Sequence, residues 1–172
     1  AVSETGGGSD VAALKTFARK DGDDYIIDGE KMWITNAKQA DFFCTLVNTS
    51  NESPHKNKSL ILVPASAAGL TIGDKIEKLG QHTSDTAPIF FDNVRVPQRY
   101  CIGKEGEGFK IQMQHFQEER IFLSASILIV LEKCISKTIE FCQDRHAFGK
   151  AIIENQSIQF RLAELQTEVE AL

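Results

Sequence analysis

The sequence predicts an α+β chain: an antiparallel β-barrel or sandwich over about the first hundred residues, then part of an all-α helical bundle. Three observations carry this reading. Short runs rich in β-branched and aromatic residues recur between turn clusters as far as Val96, the pattern of an antiparallel barrel or sandwich. No glycine or proline occurs from Phe109 to Phe148, which predicts one long helix. Beyond it, Ile158, Leu162, Leu165, Val169 and Leu172 alternate spacings of four and three, the mark of a second amphipathic helix.

In chain order, Tyr25-Ile26-Ile27 and Lys31-Met32-Trp33-Ile34-Thr35 flank Asp28-Gly29, which reads as a hairpin turn. Further strands are expected at Asp41–Thr49, Ser59–Pro64, Leu70–Ile76 and Ala87–Val96, with a turn cluster from Asn48 to Pro54. Pro97 and the glycines Gly103, Gly106 and Gly108 then punctuate the change of character. The boundary falls at 104/105, giving a β-domain over 1–104 and the start of a helical domain over 105–172. The long helix should run from Phe109 to about Gln143 and the next one from about Ser157. From Ile121 to Leu131 the first is apolar nearly all round, so it needs cover on several sides, which two helices alone do not supply. The chain opens at Ala1 within what reads as a strand and closes at Leu172 in mid-helix, so both ends read as cut, and no targeting segment is visible.

The formal charge is −5, with no cluster of Lys and Arg, which argues against nucleic acid or anionic lipid as partner. No stretch approaches the ~20 apolar residues of a membrane span. Cys44, Cys101, Cys134 and Cys142 are scattered without a C-x-x-C pair and read as reduced thiols, and the histidines are equally dispersed, so no metal site is expected.

Four motifs carry chemistry. Glu4-Thr5-Gly6-Gly7-Gly8-Ser9-Asp10 exposes consecutive backbone amides and allows close approach by a phosphate or a flat ring, and by itself reads equally as a flexible turn or linker. Trp33 is the only tryptophan: in a strand it is either core or a stacking surface, with the Thr35 hydroxyl beside it. Glu119 has Phe116, Phe122 and Leu123 as helical neighbours, an apolar setting that would raise its pKa toward that of a general base, whereas Glu118 has the wetter Gln114 and His115. Arg145, in Arg145-His146-Ala147-Phe148-Gly149-Lys150, reads as a cation closing a helix or as a clamp on phosphate.

Taken together and in order, Ser3–Asp10, Trp33–Asn36, Lys78–Gly80 with Ser84–Ala87, Asn93–Pro97, Gly106–Phe109, Glu119-Arg120 and Arg145–Gly149 resemble the acyl-CoA dehydrogenases over essentially the whole chain. The resemblance implies a flavin enzyme whose middle β-domain holds the FAD ring and whose helical domain completes the site. Carried over by position, Val2, Ser3, Gly8, Ser9, Trp33, Ile34 and Thr35 would contact FAD. Arg145, Asn155 and Gln156 would bind the FAD of a neighbouring subunit in a dimer or tetramer. Ser9, Gln117 and Arg120 would touch acyl-CoA. Glu119 matches the Glu-Arg base of the long-chain and isovaleryl-type branch, whereas most members draw the base from a later segment. Thr5 stands where proline is usual. The implied reaction is α,β-dehydrogenation of a fatty or branched acyl-CoA, with electrons passed to electron transfer flavoprotein. It would run in the mitochondrial matrix of a eukaryote or the cytoplasm of a bacterium. An acyl-CoA oxidase or a non-catalytic scaffold on the same fold stays open as an alternative.

Overall fold

A computed structural model describes residues 1–172 as two compact units, Ala1–Met113 and Gln114–Leu172. The first unit holds β1 (Phe17–Asp21), β2 (Asp24–Thr35), β3 (Phe42–Asn48), β4 (Lys58–Pro64), β5 (Leu70–Ile72), β6 (Thr86–Pro97) and β7 (Cys101–Ile102). They form one seven-stranded sheet in the order β5-β6-β2-β1-β3-β4-β7. Neighbours pair antiparallel except β1 and β3, which meet in parallel at Phe17 and Asn48, so the expected antiparallel sheet is mixed at that one step.

The core follows the strand period. On β6, Ala87, Ile89 and Phe91 point inward, then Val94 and Val96, a change of phase that an extra residue explains. The ladder with β2 is irregular there: Ile27 faces Val94 and Gly29 faces Phe91, so β6 bulges at Asp92-Asn93, with Asn93 at φ 49. Tyr25, Ile27, Phe43, Val47, Ile61 and Val63 complete the cluster.

Several sequence expectations are corrected. Asp28-Gly29 is no hairpin turn: β2 runs through it unbroken. The turn is at Gly22-Asp23, where Asp21 pairs with Asp24 and Gly22 takes φ 61. Asp21-Gly22 carries the same dipeptide signal, and its flanking strand was missed because Phe17–Asp21 lacks β-branched residues and buries only Ala18. Gly29, at φ 138, instead permits close approach, since a Cβ there would lie 2.8 Å from Thr16 Cα. Residues 1–3 form no strand, although Ala1 O accepts from Leu46 N at 3.0 Å and Ser3 O from Met32 N at 2.8 Å. The run expected to Ile76 stops at Ile72, where Gly73 lies against Pro88.

The long helix α1 (Gly108–Asp144) begins in the first unit and continues through the second. Its start needs glycine, because a Cβ at Gly108 would stand 2.6 Å from Ser59 C. A short hairpin of β8 (His146–Ala147) and β9 (Lys150–Ala151) turns at Phe148 and Gly149, φ 54 and 82, the signs a type I′ turn requires. Then comes α2 (Gln156–Ala171).

Within the second unit, Leu162, Leu165 and Val169 of α2 face Leu131, Cys134 and Ile135 of α1 around a hollow of about 370 Å³. Little else is covered. Ile121 is 71% exposed and Phe122 70%, so the cover expected for this stretch is not supplied within the chain. No helix is long and apolar enough to cross a membrane.

Candidate functional site

In the β-unit the expected residues gather on one ledge beside β2. Lys31 pairs with Ile89 and Ile34 with Ala87, so β2 carries one residue more than its partner between them. The extra residue is absorbed at Met32-Trp33, and Trp33 sits at φ 57. For a bulky residue this left-handed backbone costs about 1–3 kcal/mol and persists only where the surroundings enforce it. The result is an indole 57% exposed rather than buried in the sheet. Ile34 and Thr35 follow directly, partly buried and exposed respectively.

The Gly-rich loop lies against this bulge. Met32 N donates to Ser3 O at 2.8 Å, and Glu4 and Gly7 close a tight turn by exchanging backbone hydrogen bonds of 2.7 and 3.1 Å. Gly8 folds back onto Ser3: a Cβ there would come within 3.2 Å of the Ser3 Oγ. Val2 and Ser3 are therefore bound to Lys31 and Met32, next to Trp33, with Gly8 against Ser3, while Ser9 is exposed on the outer limb. An exposed indole, a glycine-lined edge and backbone polar groups together suit a flat heteroaromatic ring. The fit to the expected flavin is good on these grounds.

Sequence reasoning passed over the groups beneath the ledge. Glu4 and Lys31 form a buried ion pair of 2.9 Å, the side chains 6% and 0% exposed. The Glu4 carboxylate also accepts from Lys15 N at 2.7 Å, Thr16 N at 3.0 Å and Thr16 Oγ1 at 2.6 Å. Burial alone would raise its pKa, but the Lys31 ammonium and these donors outweigh it and hold the carboxyl below its ordinary value. Burial pushes Lys31 down to about 8 against the pull of Glu4, which leaves the ammonium in place at neutral pH. Asp85, also buried, ties the turn after Thr35: it accepts from Lys38 N at 2.9 Å and Gln39 Nε2 at 2.8 Å, and its O accepts from Asn36 N. The hydrogen bond from Lys38 leads the causes that hold its carboxyl below the usual range. The Trp33–Asn36 and Ser84–Ala87 motifs thus meet. A charged residue within a strand was the available signal for Lys31; Asp85 gave none beyond its motif.

In the helical unit the expected residues form two groups. Gln117, Glu119 and Arg120 are exposed on α1, and the Glu119 carboxylate pairs with His115 Nε2 at 3.1 Å. Its side chain is 52% exposed, so the dry setting read from Phe116, Phe122 and Leu123 does not exist within the chain: Phe122 and Leu123 are themselves exposed, and Phe116 is only partly buried. Near the far end of α1, Arg145 O accepts from Ile152 N at 2.9 Å, which ties Arg145 to the approach to α2. Asn155 caps α2 with backbone rather than side chain: its Nδ2 donates back to Ile152 O at 2.9 Å, and its O accepts from Ile158 N at 3.0 Å. Gln156 is exposed as the first helical residue. From Glu119 to Asp144 α1 rises roughly 38 Å, at ~1.5 Å per residue, so the two groups are far apart within one chain.

Comparison with known proteins bears on this arrangement. Residues 1–94 match the acyl-CoA dehydrogenase middle domain and residues 106–172 the acyl-CoA dehydrogenase C-terminal domain. The chain is 37% identical over 171 residues to the short-chain specific acyl-CoA dehydrogenase, mitochondrial, of Rattus norvegicus, covering 99% of this chain and 42% of that protein. It is 38% identical over 170 residues to the short/branched chain specific enzyme of Bos taurus, covering 99% and 39%. A crystal structure of acyl-CoA dehydrogenase from Geobacillus kaustophilus superposes with a TM-score of 0.92 at 40% identity, over 99% of this chain and 46% of that one. The chain thus spans about two fifths of the length of these curated relatives.

Proposed function

This chain belongs to the acyl-CoA dehydrogenase family, whose members are FAD-dependent, and from that membership we propose that the whole protein oxidises a fatty or branched acyl-CoA to the trans-2-enoyl-CoA. The single observation that carries the reading is the ledge. Trp33 is held exposed at a strained bulge against the Ser3–Gly8 loop, where core packing would have turned it inward.

The parts divide as follows. Val2, Ser3, Gly8 and Ser9, with Trp33, Ile34 and Thr35, hold the FAD ring. FAD, when bound, supplies a two-electron acceptor for hydride. Glu119 accepts the α-proton, while Gln117, Arg120 and Ser9 line the path of the acyl-CoA. Arg145, Asn155 and Gln156 hold the FAD of a neighbouring subunit in a homo-oligomer. Their separation from Glu119 along α1 supports that division of labour. Glu119 needs cover from elements outside this chain, because its present neighbours leave it half exposed. The division into a β-domain over 1–104 and a helical domain over 105–172 is part of this reading. So are electron transfer flavoprotein as the acceptor partner and a mitochondrial matrix (or, in a bacterium, cytoplasmic) location. The short-chain and short/branched-chain names of the relatives favour a small acyl group.

The test is anaerobic titration of the full-length protein with thioesters from butyryl-CoA to palmitoyl-CoA, isovaleryl-CoA among them. Bleaching of the visible flavin absorbance by at least one is expected, most readily by a short or branched chain. A flavoprotein that no thioester bleaches sinks the proposal, and reoxidation by oxygen in preference to electron transfer flavoprotein makes it an oxidase.

A further inference from the structure

Beneath the ledge lies a charged pair that the proposed chemistry does not use. Lys31 Nζ donates to Glu4 Oε1 at 2.9 Å and to Val2 O at 3.0 Å. The next residue, Met32, donates its backbone N–H to Ser3 O at 2.8 Å. Val2, Ser3 and Glu4 are thereby bound, one after another, to Lys31 and Met32, immediately before the strained Trp33. On the other side Glu4 gathers Lys15 N, Thr16 N and Thr16 Oγ1, which anchor the exit of the same loop. The pair therefore joins three segments: the loop entrance, its exit and the bulge.

Stability does not account for it. Burying an ammonium and a carboxylate carries a desolvation cost that an apolar pair of equal volume avoids, and such replacement is often neutral or stabilising. Plain strand pairing would be served by the β-branched residues found elsewhere in β2. A fully buried lysine beside a bulge instead offers directional donors that fix one placement of two loops, which apolar contacts do not specify.

We propose that Glu4 and Lys31 are positioning residues, which lock the Gly-rich loop and the Trp33 bulge into one arrangement so that the ledge is formed before the flavin arrives. This rests on the reading of the ledge as the FAD site. Neither side chain touches the ring; both act through Val2, Ser3 and Trp33. Preorganisation of this kind raises affinity by removing an ordering cost at binding.

The experiment uses the full-length protein. Glu4→Gln removes the charge and keeps one acceptor oxygen, enough for the Thr16 bonds but not for Lys15 N as well. Lys31→Met keeps the volume but removes both donated bonds, and the double variant removes both charges. Three quantities are read: FAD retention on dilution, the visible circular dichroism of bound flavin, and the thermal midpoint. Each single variant should release FAD about tenfold more readily with an altered flavin dichroism, at temperatures where it is fully folded. The double variant should regain the thermal midpoint, because no lone charge stays buried, yet still release FAD early. If it regains FAD retention as well, the pair is only structural and the proposal is overturned. Single variants with wild-type retention and dichroism overturn it equally. Should Lys31→Met fail to fold, Glu4→Gln and the double variant decide on the same readouts. A wild-type protein that takes up no FAD overturns the flavin reading itself, and that control tells the two failures apart.

Discussion

Glu119 stands one residue before Arg120 on α1 and, in this chain, turns its carboxylate to His115. Its proposed role as base is tested by Glu119→Gln in the full-length enzyme, a near-isosteric change that removes the proton acceptor and little else. FAD and thioester binding should persist while anaerobic flavin reduction slows by ~10²-fold or more, the scale of lost general-base catalysis. A rate near that of the wild type would move proton abstraction to a residue beyond Leu172. Glu4 supports a prediction of a different kind. Its folded-state pKa is lowered, so its contribution to stability is complete above the ordinary value of 4.5 and is lost as pH falls through the folded value. Thermal midpoints measured from pH 7 to pH 3 should fall more steeply for the wild type than for Glu4→Gln. Parallel curves would mean that the carboxylate is no better held in the folded chain than in the unfolded one.

Among the elements, those written in breakers were legible and those written in glycine were ambiguous. The helix α1 could be bounded almost to the residue, because Gly108 opens it and nothing interrupts it before the hairpin at Phe148. The β-hairpin was misplaced, because Asp21-Gly22 and Asp28-Gly29 carry one signal and only tertiary packing separates a turn glycine from one that admits Thr16. The same limit hid the ledge: the resemblance named Trp33 and Ser3, but no local pattern announces that Lys31 is buried or that β2 bulges beside it. Glycine can be tested directly at the start of α1. A side chain at Gly108 would meet the Ser59 backbone, which cannot yield as a flexible side chain would. Gly108→Val should destabilise the β-unit by about 1–3 kcal/mol, the usual range for overpacking, whereas Gly6→Ala, with nothing within 4 Å, should change stability little. Urea midpoints compared across the two variants check this, and equal midpoints would show that the helix start shifts at no cost.

At the scale of the whole molecule the two units differ in kind. The β-unit has a closed core, with Ile27, Ile61, Ile89, Val63 and Val94 fully buried. The helical unit buries only Cys142 and Val169 among its apolar residues and leaves Ile121, Phe122, Leu123, Ile129, Val130, Phe141 and Phe160 more than half exposed. Monomeric soluble proteins rarely expose so much contiguous apolar surface, so these helices are built to be covered. In the full-length protein, if it assembles as proposed, Arg145→Ala should lower FAD retention after gel filtration while the β-unit stays folded, because the proposed contact is to a neighbour's cofactor. Unchanged flavin content would remove the clamp from the account. The isolated 172-residue chain should show the contrast most clearly. Amide exchange depends on local opening, which is cheapest where few apolar contacts must break. Amides of β2 and β6 should therefore be protected close to the limit of global unfolding. Those of α1 from Gln114 to Leu131 should exchange orders of magnitude faster, and the same chain should bind a hydrophobic dye and self-associate as its concentration rises. A residues 1–113 variant should keep the slow β2 and β6 amides but lose both the dye binding and the association. Uniform protection along α1 in a dilute, monomeric chain would contradict this, since it would mean that two helices suffice to hold a face that their own side chains leave open to water.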